Sequence, residues 1–206
     1  METTETKPAD SNTLILDNGI HQIRLGFKDN TAPLRIAPNC AVKTKNNKQR
    51  LVGEELEQFV GDLSGLVYRR PFDKGYLINW DLQKEIWDFE HAQKRINAKI
   101  DPSSTKLLMT EPLFTPDILA KISNQVLFEE YGFESVLTAS APGLTWLHHQ
   151  ATQNSPSPCG LVVDVGYSFT HVVPFYDNHL INYGVKRINV GGKLLTNYLK
   201  EVISYR

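Results

Sequence analysis

From Leu14 the chain alternates apolar and polar positions, breaks at Asn18-Gly19, and alternates again to Phe27. A period of two around an Asn-Gly turn predicts a β-hairpin over residues 14–27. A short strand at Leu34–Ala37 follows. Residues 51–70 carry mixed signals and end at the break Arg69-Arg70-Pro71. The period then lengthens. Trp80, Ile86, Trp87 and Phe89 recur at helical spacing, with Trp80 and Trp87 on one face, as core packing requires. Lys106–Thr110 reads as a strand stopped by Glu111-Pro112. The next segment is punctuated as a helix. Thr115 stands as N-cap, Pro116 at the first helical position and Asp117 beside the positive end of the dipole. Ile118, Ile122, Val126 and Leu127 form its apolar stripe, and Gly132 is the expected C-cap. Ala139–His149 predicts another helix, weakened by Pro142 and Gly143 near its start.

Gln153-Asn154-Ser155-Pro156-Ser157-Pro158 is a linker by composition. After it come a second hairpin over 161–176, a strand near Leu180–Ile188, and a helix from about Lys193 to Ser204 opened by Gly191-Gly192. The two hairpins share a motif. Residues 14–19 read Leu-Ile-Leu-Asp-Asn-Gly and residues 161–166 read Leu-Val-Val-Asp-Val-Gly. Each is an apolar strand ending in Asp-x-Gly. Glycine lets backbone N–H groups approach a phosphate closely, and an aspartate at a strand end can hold a metal-bound water. One copy is a common turn signal. Two copies imply related half-structures facing each other, as in proteins that clamp a nucleotide between two lobes. The expected organisation is a tail over 1–13, a first lobe over 14–152 with a small inserted subdomain near 41–70, a linker at 153–160, and the start of a second lobe over 161–206. The second lobe is short for such a clamp, so the chain is expected to be the front portion of a longer protein.

Composition narrows the classes. Of 206 residues, 41% are apolar and 22% charged, which describes a globular protein rather than a disordered one. A net charge of −1 gives no electrostatic footprint for a dedicated nucleic-acid binder. Cys40 and Cys159 have no metal-ligand spacing, and so few cysteines fit a reducing, intracellular compartment. No apolar run is long enough to span a membrane, and Met1–Thr13 is too polar for a signal peptide. The basic stretch Lys43–Arg50 reads as a solvated loop, with contact to an acidic partner surface as the alternative. His148 and His149 have no carboxylate or cysteine at ligand spacing, so no metal site is expected.

The succession Leu16-Asp17-Asn18-Gly19, Asn79-Trp80-Asp81, Thr110-Glu111-Pro112-Leu113, Phe128-Glu129-Glu130-Tyr131 and Thr170-His171-Val172-Val173-Pro174 resembles the actin superfamily in order and spacing. The resemblance runs from about Asn12 to Arg206 and covers the first half of an actin. It implies an α/β, actin-like fold of the actin, sugar-kinase and chaperone-ATPase type, with the first lobe largely complete and the second truncated. Gly166–His171 and Arg187–Thr196 are similar to one nuclear branch of actin-related proteins, known as a subunit of SWR-type chromatin remodelling complexes that exchange a histone variant into nucleosomes.

Carried over by resemblance, Asp17, Asn18 and Gly19 match the first phosphate loop, and Arg24 stands where actins carry a phosphate-facing lysine. Asp164 and Gly166 match the second loop, and His171 matches a histidine that orders the attacking water. The departures weigh against chemistry. Ile20 and His21 replace a small hydroxyl residue and a glycine. Val165, Tyr167 and Ser168 replace a serine, an aspartate and a glycine. Ala141 stands near the place of a water-orienting glutamine. Each lost hydrogen bond to a charged phosphate costs about 1.5–3 kcal/mol, so two lost hydroxyls weaken binding by about two to four decades. Asp17 and Asp164 then read equally as turn caps, and His171 as a buried core histidine.

The resemblance therefore implies a nuclear, non-catalytic subunit with no catalytic residue and no required cofactor, any ATP or ADP with Mg being held weakly. Its expected partners are the other subunits of the complex and, indirectly, the nucleosome, with no membrane and no small-molecule substrate. The alternatives are an ATPase or kinase on the same fold, which intact loops would favour, and a filament-forming actin.

Overall fold

A computed structural model describes residues 12–44, 50–61, 66–92, 100–153 and 157–205. Its strands are β1 (Thr13–Asn18), β2 (Gln22–Phe27), β3 (Arg35–Pro38), β4 (Ala41–Thr44), β5 (Arg50–Val52), β6 (Leu66–Arg69), β7 (Phe72–Asp73), β8 (Tyr76–Leu77), β9 (Lys106–Thr110), β10 (Ser135–Ala139), β11 (Cys159–Val165), β12 (Thr170–Tyr176), β13 (His179–Leu180) and β14 (Lys186–Ile188). Its α-helices are α1 (Trp80–Ala92), α2 (Asp117–Gln125), α3 (Ala141–Thr152) and α4 (Gly192–Ser204). These residues divide into two compact units. The first holds residues up to Phe72, with Leu77–Thr110 and Phe114–Thr138; the second holds Asp73–Tyr76, Glu111–Leu113 and the chain from Ala139. The division falls between Thr138 and Ala139 rather than at the 153–160 linker, because α3 packs on β11. Of the expected tail and basic loop, residues 1–11 and 45–49 lie outside the described residues, as do 154–156 of the linker.

In the first unit, β1 and β2 form the expected hairpin and anchor a five-stranded sheet of order β10-β9-β1-β2-β3. β1 runs parallel to β9 and antiparallel to β2. The strand period of two sends Leu14 and Leu16 to one face, where they are buried, while Ile15 between them is 37% exposed. Ile23, Leu25, Leu107 and Met109 join that buried face. Leu82, Ile86 and Trp87 of α1 cover it together with Leu127 and Phe133. The expected pairing of Trp80 and Trp87 is present as an edge-to-face contact with centroids 6.0 Å apart. A three-stranded sheet, β5-β4-β6, carries its own small core of Cys40, Val42 and Leu51. Lys43 and Thr44 are strand residues of β4, and Lys43 pairs with Arg50 of β5, so the ends of the expected loop are extended.

Two helix starts differ from expectation. α2 begins at Asp117 with Pro116 as its N-cap, since the Pro116 carbonyl accepts from Leu119 and Ala120. Thr115 is therefore one place too early to cap. The helical path then widens into a π-turn at Val126–Glu130 and stops before Gly132, whose φ is +73°. α3 starts at Ala141, not Ala139, which belongs to β10. Ser140 caps it through Oγ, accepting from the Gly143 N–H at 3.3 Å. Pro142 is no weakness there, because a first-turn residue needs no N–H donor.

In the second unit, β11 and β12 pair antiparallel from Cys159↔Tyr176 to Val165↔Thr170, forming the second hairpin. The strand expected near Leu180–Ile188 is instead two short strands, β13 and β14, separated by a 3₁₀ turn at Asn182–Gly184. Trp146 of α3 stacks on Phe175 of β12 at 5.3 Å, with Val173 and Val185 completing the core.

Candidate functional site

Asp17, Asn18, Gly19 and Arg24 belong to the first unit, and Asp164, Gly166 and His171 to the second. Each group is built on the end of a hairpin.

The first turn is held from several sides. Asp17 Oδ1 accepts from the Thr110 hydroxyl at 2.7 Å, and Oδ2 pairs with Arg24 Nη1 at 2.9 Å. Asp17 and Arg24 face each other because β1 and β2 place them directly opposite in register. Thr110 Oγ1 also accepts from the Asn18 N–H at 3.1 Å. The Asn18 side chain joins a buried amide cluster with Asn39 and Gln83, the latter two wholly excluded from solvent. Gln83 Nε2 donates to Asn39 Oδ1 at 3.2 Å, and Asn39 Nδ2 donates to the Gly19 carbonyl at 2.9 Å and lies 3.3 Å from Asn18 Oδ1. Gly19 is required by close approach, since a Cβ there would lie 2.5 Å from the Gln22 carbonyl oxygen. Arg70 closes the far side. Its Nη1 donates to the carbonyls of Ile20, His21 and Asn39 at 3.1–3.2 Å. Burial, then the Arg70 and Arg24 charges, push the His21 imidazole below its usual range.

The second turn is likewise tied internally. Gly166 N–H donates to the Phe169 carbonyl at 3.0 Å. The first amides of α4 point into the turn: Gly192 N–H donates to the Gly166 carbonyl at 3.0 Å and Lys193 N–H to the Tyr167 carbonyl at 2.9 Å. A helix N-terminus is a ready anion site only while its amides are unspent; here two of them serve the turn. Asp164 and His171 pair across β11 and β12. His171 is buried, its ring 4.5 Å from that of Phe169. Burial and then the Arg187 charge push its imidazole down, against a smaller upward pull from Asp164. Arg187 lies over the Phe169 ring at 4.2 Å and donates to the Tyr76 hydroxyl at 2.8 Å and the Lys74 carbonyl at 3.0 Å.

Sequence reasoning did not single out Thr110, Asn39, Gln83, Arg70 or Arg187. One signal was present: Gln83 occupies the α1 stripe shared by Ile86 and Trp87, where a polar side chain must find a buried partner. Among the described residues, no cluster of His, Cys, Asp or Glu is arranged to hold a metal ion, and no helix is long and apolar enough to cross a membrane.

A family model described as Actin matches residues 9–206. A protein of Oryza sativa subsp. indica named Actin-related protein 6 is 42% identical over 198 residues, covering 95% of this chain and 46% of the relative. Its namesake in Dictyostelium discoideum is 43% identical over 211 residues, covering 94% and 42%. That of Drosophila melanogaster is 35% identical over 198 residues, covering 94% and 49%. The chain thus spans less than half the length of each of these relatives. With the repeated Asp-x-Gly hairpins, the five-stranded sheet and a family match over nearly all its residues, the chain belongs to the actin family.

Proposed function

We propose that this protein is a non-catalytic, actin-related subunit of a nuclear SWR-type chromatin remodelling complex, which exchanges a histone variant into nucleosomes. Similarity to proteins named Actin-related protein 6 supports the branch. One observation supports the absence of catalysis: Asp17 and Arg24, the charged pair that would serve metal-bound water and phosphate, bond to each other, and Asp17 also accepts from the Thr110 hydroxyl. A phosphate entering the first turn would compete with the Asp17 carboxylate for the Arg24 guanidinium. The protein's contribution is surface and shape, offered to the other subunits, with nucleosome contact made through the assembled complex. It requires no nucleotide, and any ATPase activity of the complex lies in another subunit.

Affinity purification of the endogenous protein from nuclei, followed by mass spectrometry, tests this reading. Co-purification of remodeller subunits in fixed proportion is the expected result. Recovery as filaments, or as a lone soluble enzyme, would overturn it.

A further inference from the structure

The first turn has an acceptor side. The carbonyl oxygens of Ile20, His21 and Asn39 converge on one nitrogen of Arg70, all within 3.2 Å. Arg70 Nη2 also lies 3.3 Å from His21 Nδ1. Converging carbonyls repel a phosphate and attract a cation, the opposite of a nest of N–H groups. A guanidinium suits this cradle because its planar fork presents several donors in fixed directions at permanent charge. Behind the turn, the Asn18–Asn39–Gln83 amides hold the backbone from the buried side. Asn39 links the two sides, since its N–H donates to the His21 carbonyl at 2.9 Å while its own carbonyl accepts from Arg70.

We propose that Arg70 is the positioning residue of the first turn, and that its guanidinium fills, from within the chain, a cation cradle that keeps the turn ordered with no nucleotide bound. This goes beyond the proposed role in chromatin and rests on that reading only in requiring no nucleotide, which the Mg-ATP arm below tests; the Arg70 variants test the turn whatever assembly the protein joins. The chain supplies the order that a ligand would otherwise impose. Removing Arg70 leaves three carbonyls facing one another around a vacated, cation-shaped space.

Amide hydrogen exchange on the full chain reads this directly. The Asn39 N–H reports the turn, and the Leu107 to Met109 amides of β9 report the stability of the unit. In the unaltered protein, adding Mg-ATP should leave the Asn39 rate unchanged. Arg70→Ala should speed Asn39 exchange at least about tenfold while changing β9 much less. Guanidinium ion, far below denaturing concentration, should slow Asn39 again in that variant, whereas urea should not. If Arg70→Ala does not fold, Arg70→Lys carries the same test; partial loosening at Asn39 is expected, because an ammonium lacks the planar fork. The proposal is overturned if Mg-ATP slows Asn39 in the unaltered protein, if β9 and Asn39 accelerate alike, or if guanidinium gives no more rescue than urea.

Discussion

Replacing Gln83 by methionine keeps the side chain's length and removes its amide. Gln83 is wholly buried and gives Asn39 Oδ1 its hydrogen bond at 3.2 Å. It also accepts from Asn39 Nδ2 at 3.3 Å and, more weakly, from Asn18 Nδ2 at 3.4 Å. Asn39 Nδ2 keeps the Gly19 carbonyl, so its loss is minor. The cost falls on Asn39 Oδ1 and, less, on Asn18 Nδ2. A buried polar atom left unsatisfied costs about 1–3 kcal/mol, so Gln83→Met should destabilise by about 2–4 kcal/mol despite its greater apolarity. With a urea slope near 2 kcal/mol per molar, the midpoint should fall by about 1–2 M. Circular dichroism during urea unfolding measures this. Adding Asn39→Leu should then cost less than the sum of the two single changes, because the orphaned oxygen is gone. A midpoint shift under about 0.3 M for Gln83→Met, or strict additivity in the double variant, would refute the buried amide cluster as a source of stability.

Other consequences are testable by similar means. The His171 imidazole is pushed below its unfolded pKa near 6.5, so the unfolded chain binds its proton first as pH falls. Its stabilising contribution is complete above that value and is lost as pH drops through it. His171→Gln should therefore flatten the dependence of Tm on pH between 8 and 5, and an unchanged slope would contradict the burial argument. Gly75 has φ +93°, and a Cβ there would lie 1.8 Å from the Phe169 ring. Gly75→Ala should cost well over about 1 kcal/mol, read as a lowered Tm; a neutral result would contradict this packing. By contrast the Asp17–Arg24 pair is part-exposed, at 34% and 47%, so Asp17→Asn should change stability by less than about 1 kcal/mol. A larger loss on denaturant titration would count against that.

Much of this fold is legible in the sequence because it rests on local rules. The alternation on either side of Asn18-Gly19 and the Trp80–Trp87 stripe are short-range signals, and each produces the element it predicts, although Asn18 itself pairs with Ile23 and the turn begins only at Gly19. Helix starts are harder. Pro116 and Pro142 both sit at helix entrances, but only the carbonyl geometry distinguishes a capping proline from a first-turn proline. The strand expected near Leu180–Ile188 is cut by the turn at Asn182–Gly184, and that division escapes detection because strands of two and three residues carry no period. The candidate site divides the same way. Asp17, Gly19, Asp164 and Gly166 are legible as motif. The groups that hold them are not, since Asn39, Arg70, Gln83 and Thr110 reach the first turn across 20 to 93 residues of chain. Such polar pairing is set by tertiary packing, and only a polar residue on an apolar stripe, as at Gln83, betrays it in advance.

If, as proposed, the Asp-x-Gly turns are satisfied from within the chain and serve structure rather than nucleotide chemistry, the full-length protein should have no tight nucleotide site. Isothermal titration of the full-length protein with Mg-ATP tests it most directly. The expected result is no saturable heat up to micromolar concentrations and a Tm unmoved by ATP. A submicromolar dissociation constant would contradict it.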